Sequence, residues 1–552
     1  MTNLRALGFS LIIVAIVYAN AVPNPFVQSD DFLIVAANQG IRSIAPLRFL
    51  AEPYWAGDKF GGIYRPMTIL SFSVDYAIWH RWAPGFRLTN LLLHSLNGYL
   101  VFLLASTLIG ATGAWAAMAV YLLHPVHTEA IVGIVGRAEL LAAVFFFAAW
   151  LMFRRGRIAW SAAFFFLSLL SRENAIVFPA VAALDILLLD GGTKKLVAGW
   201  RRFVLLGAVG LACVAMRFSV LGQIGVPATF QYLHGGWSFV ERWMTSGRAF
   251  LQYFRLILAP VDVAASYEFN SIHIANIRDW DAWAGLLAVF GCILTAVFLA
   301  KKHPALSLAI LFFLVALLPV SNWILPTSAI VAERFLYTPA FGAALLAGIA
   351  WVALPNKRLQ YLLAAGVLAT ATLLCISHNW IWQDDFTFFK NMVRVTPDNL
   401  SARVGYGLVL RDIGLVSQAK EQFEAGLRVD PYSPVLLSSL AGLVVQKNPK
   451  HCEQARPLLD RAFKAQPNHW QSSWVLANCY SMKGDKENAD ASYRRAVEYA
   501  PMPDSKLLFS WGTTLESLGK RDAAIDVYRR AALIDPDDQV IQRRLAALLS
   551  QR

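Results

Sequence analysis

Eleven apolar segments of 14 to 22 residues, predicted to cross a lipid bilayer, occupy the first two thirds of this chain of 552 residues. They lie at roughly 6–22, 88–109, 112–128, 136–153, 158–171, 174–190, 203–222, 281–300, 305–325, 335–354 and 358–378. A helix needs about 20 apolar residues to span the hydrocarbon core, so the pattern predicts an all-α, polytopic membrane domain. With 57 % hydrophobic and 15 % charged residues, the composition is not that of a soluble protein.

Basic residues predict how these spans are oriented. With a cytoplasmic N-terminus, four clusters share the cytoplasmic face: Arg154, Arg155 and Arg157; Lys194, Lys195, Arg201 and Arg202; Lys301 and Lys302; Lys357 and Arg358. Because cytoplasmic loops are enriched in Lys and Arg, we interpret the net charge of +13 as a topology signal, not a nucleic-acid one. The odd number of spans then places the C-terminal part outside the cytoplasm. Segment 240–259 would break this parity, and we interpret it as a re-entrant or membrane-surface helix.

The C-terminal part contains a helical repeat. Prolines recur every 34 to 36 residues, at Pro397, Pro431, Pro467, Pro501 and Pro536. Small and aromatic residues recur with them, as Ala419, Phe423 and Gly426, then Ala489, Tyr493 and Ala496, then Ala524, Tyr528 and Ala531. This period is typical of tetratricopeptide repeats. We therefore predict a membrane domain over 1–384 and a repeat solenoid over 385–552, with 447–450 as an insertion, and a solenoid provides a binding surface.

The five cysteines are scattered. Only Cys452 and Cys479 lie in the repeat part, and no CxxC or zinc-type spacing occurs. The sequence therefore predicts neither a disulfide framework nor a structural metal. We expect both of these cysteines to carry free thiols.

The loop after the first span opens with an acidic pair, Asp30 and Asp31, in the sequence QSDDF. A carboxylate at the membrane surface is partly desolvated, which favours a role as general base. Alternatively, Ser29 or Asp30 caps the helix that follows. Further along the same loop, Arg65 precedes a predicted helix in IYRPMT.

A second polar group surrounds the turn between two spans in HPVHTEAIVGIVGRAELLA. It contains His124, His127, Glu129, Arg137 and Glu139. Ionisable residues at a membrane boundary are costly unless they are paired or functional, so this density indicates a polar cavity. A metal site is conceivable but not favoured, because His124 precedes Pro125 and the histidines lack helical i, i+4 spacing. Polar caps on a tight turn would explain the same residues.

Two basic–acidic pairs fall on the same predicted face, Arg172 with Glu173 in LSREN and Glu333 with Arg334 in VAERFLY. The forked donors of arginine suit a phosphate group. The alternative for each pair is an ion pair that only fixes helix packing.

The order of these motifs resembles a known family. The acidic pair after the first span, YRP, HPVHTEA with GRAELL, LLPVSN, AERFLYTP and the terminal repeats are similar to the transmembrane and tetratricopeptide-repeat O-mannosyltransferases and their bacterial relatives. That resemblance covers nearly the whole chain. It implies a GT-C glycosyltransferase that moves one sugar from a polyprenyl-phosphate carrier to a hydroxyl, with inversion, on the extracytoplasmic face.

The resemblance also implies roles for residues. Asp30 would deprotonate the acceptor and Asp31 would position it or share that role, while Arg137, Arg172 and Arg334 would stabilise the leaving phosphate. The cavity would be shaped by Arg65, His124, His127, Glu129, Glu139, Glu173 and Glu333. No metal or tightly bound cofactor is expected. The partners would be the lipid-linked donor, membrane lipids and a protein or peptide acceptor. Two departures from the family are Arg172, where a lysine is common, and the small number of repeats, about four.

Three other functions remain open at this point. A glycan ligase or polymerase using a diphosphate-linked glycan would be equally polytopic but would not need the acidic pair. A catalytically inactive scaffold would not depend on Asp30. A transporter would place its charges near the membrane midplane, whereas most of these lie at one face.

Overall fold

A computed structural model of the chain describes residues 2–27, 30–54, 62–223, 237–264, 267, 271–324, 327, 329–447, 451–501 and 503–550. Within these ranges the fold is helical, and extended pairing is limited to one isolated bridge between Tyr267 and Val331. The chain forms two compact units, one of Met1–Ala36 with Gly40–Phe388 and one of Ala37–Gln39 with Phe389–Arg552. The all-α prediction is thus confirmed.

The first unit contains fifteen described α-helices, most of them apolar. They are α1 (Thr2–Val17), α2 (Pro46–Ala51), α3 (Pro66–Trp79), α4 (Ala83–Leu123), α5 (Thr128–Val132), α6 (Arg137–Arg154), α7 (Ile158–Ser171), α8 (Phe178–Leu189), α9 (Gly192–Ala198), α10 (Trp200–Leu221), α11 (Phe239–Leu258), α12 (Trp280–Leu299), α13 (Pro304–Leu317), α14 (Ala340–Ala353) and α15 (Lys357–Asn379). Each of the eleven predicted spans overlaps a helix. The spans predicted at 88–109 and 112–128 both lie in α4, which is broken at Gly110, where φ is +79°.

Five of the described helices are long and apolar enough to cross a membrane: Ala83–Leu123, Ile134–Arg154, Trp200–Leu221, Trp280–Leu299 and Lys357–Trp382. Shorter apolar helices accompany them at Thr2–Val17, Ile158–Ser171, Pro304–Val320 and Ala340–Ala353. These lengths and compositions are those of a multi-pass membrane protein.

Packing within this unit brings distant segments together. Helices α6 and α7 form a hairpin, and α4 packs against α1, α6 and α14. The first and last apolar helices also meet, because Asn379 at the end of α15 donates to the Val17 carbonyl at 3.0 Å and Asn20 donates to the Ile376 carbonyl at 3.0 Å. The first and last apolar helices of this unit are therefore joined directly by hydrogen bonds.

Helix α11 is amphipathic and differs from the spans. It begins with a capping box between Ser238 and Glu241, which satisfies free amides of its first turn. Its Gly247 lies against Gly285 of α12, where a Cβ on Gly285 would come within 1.8 Å of the Gly247 carbonyl oxygen. An ion pair between Arg248 and Asp281, 2.7 Å long, joins the same two helices. Its predicted position at the membrane surface stays a prediction.

The second unit is built of helical hairpins. After α16 (Asp385–Val395) come α17 (Leu400–Asp412), α18 (Val416–Val429), α19 (Pro434–Lys447), α20 (Cys452–Ala465), α21 (Trp470–Met482), α22 (Lys486–Tyr499), α23 (Ser505–Ser517), α24 (Arg521–Ile534) and α25 (Gln539–Ser550). The residues predicted to let paired helices approach are buried: Ala419, Phe423, Gly426, Ala489, Tyr493, Ala496, Ala524, Tyr528 and Ala531. The repeat is confirmed, although most of the predicted insertion, 448–450, lies outside the described residues.

The cysteine prediction was wrong. Cys452 and Cys479 form a disulfide, with their Cα atoms 5.7 Å apart. Cys452 begins α20 and Cys479 lies near the end of α21, and packing of the second hairpin on the third brings them together. Neither residue therefore carries a free thiol in this structure.

Candidate functional site

Asp31 pins the first loop to the turn before α6. Its side chain is fully buried, and its two carboxylate oxygens accept the backbone N–H groups of Ile134 at 3.1 Å and Val135 at 3.0 Å. Burial raises the pKa of Asp31 to about 6, although the Val135 N–H and the Arg87 guanidinium oppose the shift. Both oxygens are engaged, so Asp31 is placed to hold the loop.

Asp30 lies next to Asp31 but is exposed. The surrounding protein raises the pKa of Asp30 above its ordinary value by desolvation, and the charges of Arg334 and Arg65 counteract the shift. The structure therefore distinguishes two adjacent acids. Asp31 is anchored to the backbone, and Asp30 is an exposed residue whose carboxyl group lies within electrostatic reach of two arginines. The alternative cap, Ser29, lies outside the described residues.

Arg65 forms a bidentate ion pair with Glu173. Arg65 precedes Pro66, the first residue of α3, and its Nε and Nη2 donate to the two Glu173 carboxylate oxygens at 3.0 and 2.6 Å. The guanidinium also lies 5.5 Å from the centre of the Tyr54 ring. Arg65 is 10 % exposed and Glu173 is 44 % exposed, so the pair borders an opening.

Arg172 pairs with Glu139 in a more enclosed place. The Arg172 Nε lies 3.1 Å from a Glu139 carboxylate oxygen, and both side chains are buried. Glu139 lies in the first turn of α6, and Arg172 directly follows α7. Because α6 and α7 form a hairpin, residues far apart in sequence meet at one end of it. The guanidinium of Arg172 stacks over Phe335, 5.3 Å from the ring centre.

Arg334 is held by Glu129. One Glu129 carboxylate oxygen accepts the Arg334 backbone N–H at 2.7 Å, and the other accepts a bond from the Arg334 guanidinium. Glu333, the residue before Arg334, has other partners. One of its carboxylate oxygens accepts the Ala264 N–H at 2.7 Å and the Tyr267 hydroxyl at 2.9 Å. Burial raises the pKa of Glu333, and the negative charge of Glu129 raises it further.

The three pairs belong to one charged cluster. Glu139 interacts electrostatically with Arg172, Arg65 and Arg334, and Asp30 interacts with the last two. We call the set of Asp30, Arg65, Glu129, Glu139, Arg172, Glu173 and Arg334 the arginine cluster. It lies at the end of the α6–α7 hairpin opposite Arg154, which pairs with Asp185 and donates to the Thr107 carbonyl.

Arg137 lies outside the arginine cluster. It is fully buried, and its Nη1 lies 2.6 Å from an Asp75 carboxylate oxygen. Its Nε donates to the Asn90 side chain at 2.8 Å, and its Nη2 donates to the Phe86 carbonyl at 2.7 Å. All three guanidinium nitrogens of Arg137 therefore have protein partners. This arrangement fits an ion pair that fixes helix packing better than an open phosphate site.

The two histidines of HPVHTEA contact groups other than the members of the cluster. His124 contacts the Ile257 carbonyl at 3.0 Å through Nε2 and accepts the Val126 N–H through Nδ1. His127 is buried against Tyr121 and Tyr337, with ring centres 4.8 and 4.7 Å away. Within the described ranges, no group of three or more His, Cys, Asp or Glu residues could hold a metal ion.

Two features of the site were not predicted. Arg217 near the end of α10 interacts electrostatically with Glu173 and Arg65, and its signal in the sequence was a lone charge in an apolar run. An apolar cleft adjoins Glu139 and is lined by Ala142, Phe146, Asn174, Ala175, Val177, Ala316, Phe335, Thr338 and Pro339. The cleft could not be foreseen because its walls come from α6, α13 and two loops.

Fold and site together define a multi-pass membrane protein with a charged cluster at one end of its helices and a repeat solenoid as a separate unit. Tetratricopeptide-repeat family models match residues 450–504 and 505–538. A solved structure, the thermophilic TPR protein TTC0263 of Thermus thermophilus, covers 35 % of this chain and 96 % of its own at 20 % identity, with a TM-score of 0.27.

Curated relatives match nearly the whole chain. Protein O-mannosyl-transferase TMTC3 of Mus musculus is 23 % identical over 608 residues, covering 99 % of this chain and 65 % of the relative. Protein O-mannosyl-transferase TMTC4 of Homo sapiens is 27 % identical over 472 residues, covering 73 % and 63 %. The predicted family is confirmed: the chain is a homologue of the transmembrane and tetratricopeptide-repeat O-mannosyltransferases. It spans less than two thirds of the length of these relatives.

Proposed function

We propose that this protein is a GT-C-type membrane glycosyltransferase that transfers a single hexose, mannose or similar, from a polyprenyl phosphate to a hydroxyl of a protein. The observation that carries the proposal is the carboxyl group of Asp30 within electrostatic reach of Arg334 and Arg65. A base for the acceptor and cations for an anionic leaving group thus belong to one cluster. The names of the relatives supply the class of sugar and acceptor.

The reaction follows from these positions. Asp30 accepts the proton of the acceptor hydroxyl while the hydroxyl oxygen attacks the anomeric carbon of the sugar. The bond from that carbon to the phosphate oxygen breaks, and the polyprenyl phosphate leaves with the electron pair. Arg65, Arg172 and Arg334 stabilise the charge that develops on it. A single displacement inverts the anomeric centre.

The surroundings of the cluster suit a lipid-linked donor. The cleft beside Glu139 is walled largely by apolar side chains such as Phe146, Val177 and Phe335. The cleft itself holds only about 20 Å³, so it can take no more than a small group of the donor. The adjoining arginines donate hydrogen bonds of the kind that a phosphate accepts. We assign Arg65 to the phosphate site in place of Arg137, because all three nitrogens of Arg137 are engaged.

The cluster and the repeats are proposed to face the extracytoplasmic side. Two points support this orientation. When the predicted spans are counted from a cytoplasmic N-terminus, all four basic clusters fall on the cytoplasmic side. The repeats also contain a disulfide. Disulfides are rare in the reducing cytosol. The repeats, which provide a binding surface, would present the protein acceptor.

Purified protein should release polyprenyl phosphate when it is incubated with a panel of polyprenyl-phosphate sugars and a hydroxyl acceptor. Asp30→Asn should lower turnover by roughly 10²-fold or more, the usual scale for general-base catalysis, while the protein stays folded. Asp190→Asn, an exposed carboxylate paired with Lys195 away from the cluster, is the control. Full activity of Asp30→Asn would refute this mechanism, and no release with any donor would refute the reaction.

A further inference from the structure

The carboxylate of Glu173 lies among three arginines. Both of its oxygens accept bonds from Arg65, and it also interacts electrostatically with Arg172 and Arg217. An anion between several guanidinium groups has the surroundings that proteins provide for a phosphate. Glu173 thus stands where an anionic ligand would be bound.

Glu173 differs from the other carboxylates of the arginine cluster in its exposure. Glu139 and Glu129 are each 4 % exposed, and both have fixed partners in the interior. The side chain of Glu173 is 44 % exposed. A carboxylate at the opening can turn away without leaving a cavity in the core, whereas the two buried ones cannot.

Arg217 reaches this place from a helix that faces outward. Only 17 % of the apolar part of α10 is buried inside the protein. Arg217 is the one charged residue between Phe203 and Leu221. A charge in such a segment is costly unless it is paired or functional. The guanidinium donates to the Gly62 carbonyl, three residues before Arg65. Arg217 is therefore positioned between the lipid-facing surface of α10 and the cluster.

We propose that Arg217 joins the arginines of the cluster at the site for the phosphate of the lipid donor, next to Arg65 and Arg172, and that Glu173 occupies this part of the site until the donor arrives. The inference rests on the proposed function and names the residues that admit the donor. Phosphate displaces the carboxylate from the three arginines, and Glu173 turns toward the opening. Arg217, nearest to the lipid, meets the phosphate first.

Equilibrium binding of farnesyl phosphate to the detergent-solubilised full-length protein tests the proposal. Glu173→Gln removes the competing charge and should tighten binding by roughly 3- to 10-fold, because the site no longer has to be vacated. Arg217→Ala should weaken binding by about 10-fold or more, as expected for a lost bond to a charged group. Arg217→Lys should lie between Arg217→Ala and the wild type.

Matched controls carry the same changes elsewhere. Glu52→Gln removes a carboxylate from the exposed Arg48 pair, and Arg201→Ala removes a basic residue from the opposite end of α10; neither should change binding. Arg217→Ala removes no hydrogen-bond partner of Arg65, so it tests the site even where Glu173→Gln lowers stability.

The outcomes separate this inference from the proposed function. A wild-type protein that does not bind farnesyl phosphate would overturn both. Wild-type binding together with equal or weaker binding by Glu173→Gln, or with undiminished binding by Arg217→Ala, would overturn the role of these two residues and leave the proposed transferase intact.

Discussion

Similar arginines have different roles because their partners differ. Arg137 and Arg172 both stand at span ends beside apolar runs, so the sequence could not separate them. The separation comes from Asp75 and Asn90, which lie more than 40 residues from Arg137 and meet it only in the fold. Local sequence shows that an arginine is present, whereas tertiary packing decides whether it is available to a ligand.

Replacing Arg137 and Arg334 should therefore have different consequences. Arg137→Ala leaves a buried carboxylate unpaired and should destabilise the fold by about 3–5 kcal/mol, seen as a lower Tm in detergent. Arg334→Ala also removes the ion-pair partner of a buried carboxylate, Glu129, but the backbone N–H of residue 334 still donates to it, so Tm should fall by less than in Arg137→Ala. Donor binding should weaken by roughly 10-fold or more in Arg334→Ala, with a smaller loss for Arg334→Lys. Arg255→Ala, from an exposed pair with Asp262, is the control. If Arg137→Ala is stable and weakens donor binding as much as Arg334→Ala does, Arg137 belongs to the phosphate site.

The acidic pair can be resolved by pH. A base works only when it is deprotonated, so kcat/KM should fall as the pH drops through the pKa of Asp30. Burial raises the pKa of Asp30, and the positive charges of Arg334 and Arg65 counteract the shift. Arg334→Ala should therefore move this acid limb to higher pH. Asp31→Asn should leave the limb in place and reduce the rate by much less than the roughly 10²-fold loss expected for Asp30→Asn.

Rate profiles of the wild type, Arg334→Ala and Asp31→Asn between pH 5 and 8 measure these effects. An acid limb that moves in Asp31→Asn, with a loss as large as that of Asp30→Asn, would mean that Asp31 is the base or shares its role.

At the level of helices, hydropathy predicted where the spans lie but not how they end or pack. All eleven overlap helices because each depends on its own composition. The break at Gly110 within α4 falls between the spans predicted at 88–109 and 112–128. The contact between α11 and α12, in contrast, depends on three-dimensional neighbours. The Cys452–Cys479 bridge was missed for the same reason, since its sulfurs meet through the packing of hairpins across 27 residues.

The close contact of α11 with α12 allows a sharp test. Gly285→Ala places a methyl group against the Gly247 carbonyl and should destabilise the membrane unit by about 1–3 kcal/mol through overpacking. Gly291→Ala is the matched control, because nothing lies within 4 Å of a Cβ at that position. Thermal unfolding in detergent compares the two. Equal Tm values would show that the helices move apart without cost.

At the scale of the whole molecule, the proposed orientation is testable with single cysteines. Lys194 and Lys506 are both exposed, one in a predicted cytoplasmic cluster and one in the repeats. In a chain without Cys213, Cys292 and Cys375, an impermeant thiol reagent added outside the cell should label Cys at 506 and not at 194. Labelling at 194 alone would reverse the orientation and remove the proposed site from the extracytoplasmic face.

The contact between α1 and α15 has a consequence for biosynthesis. Asn379 binds the carbonyl of Val17, so a residue made early in translation waits for one made more than 350 residues later. The membrane unit therefore cannot complete its packing before Asn379 has been synthesised. A nascent chain that stalls before this point exposes an unpaired face of α1 to the bilayer, where quality-control factors that recognise unassembled helices can act on it.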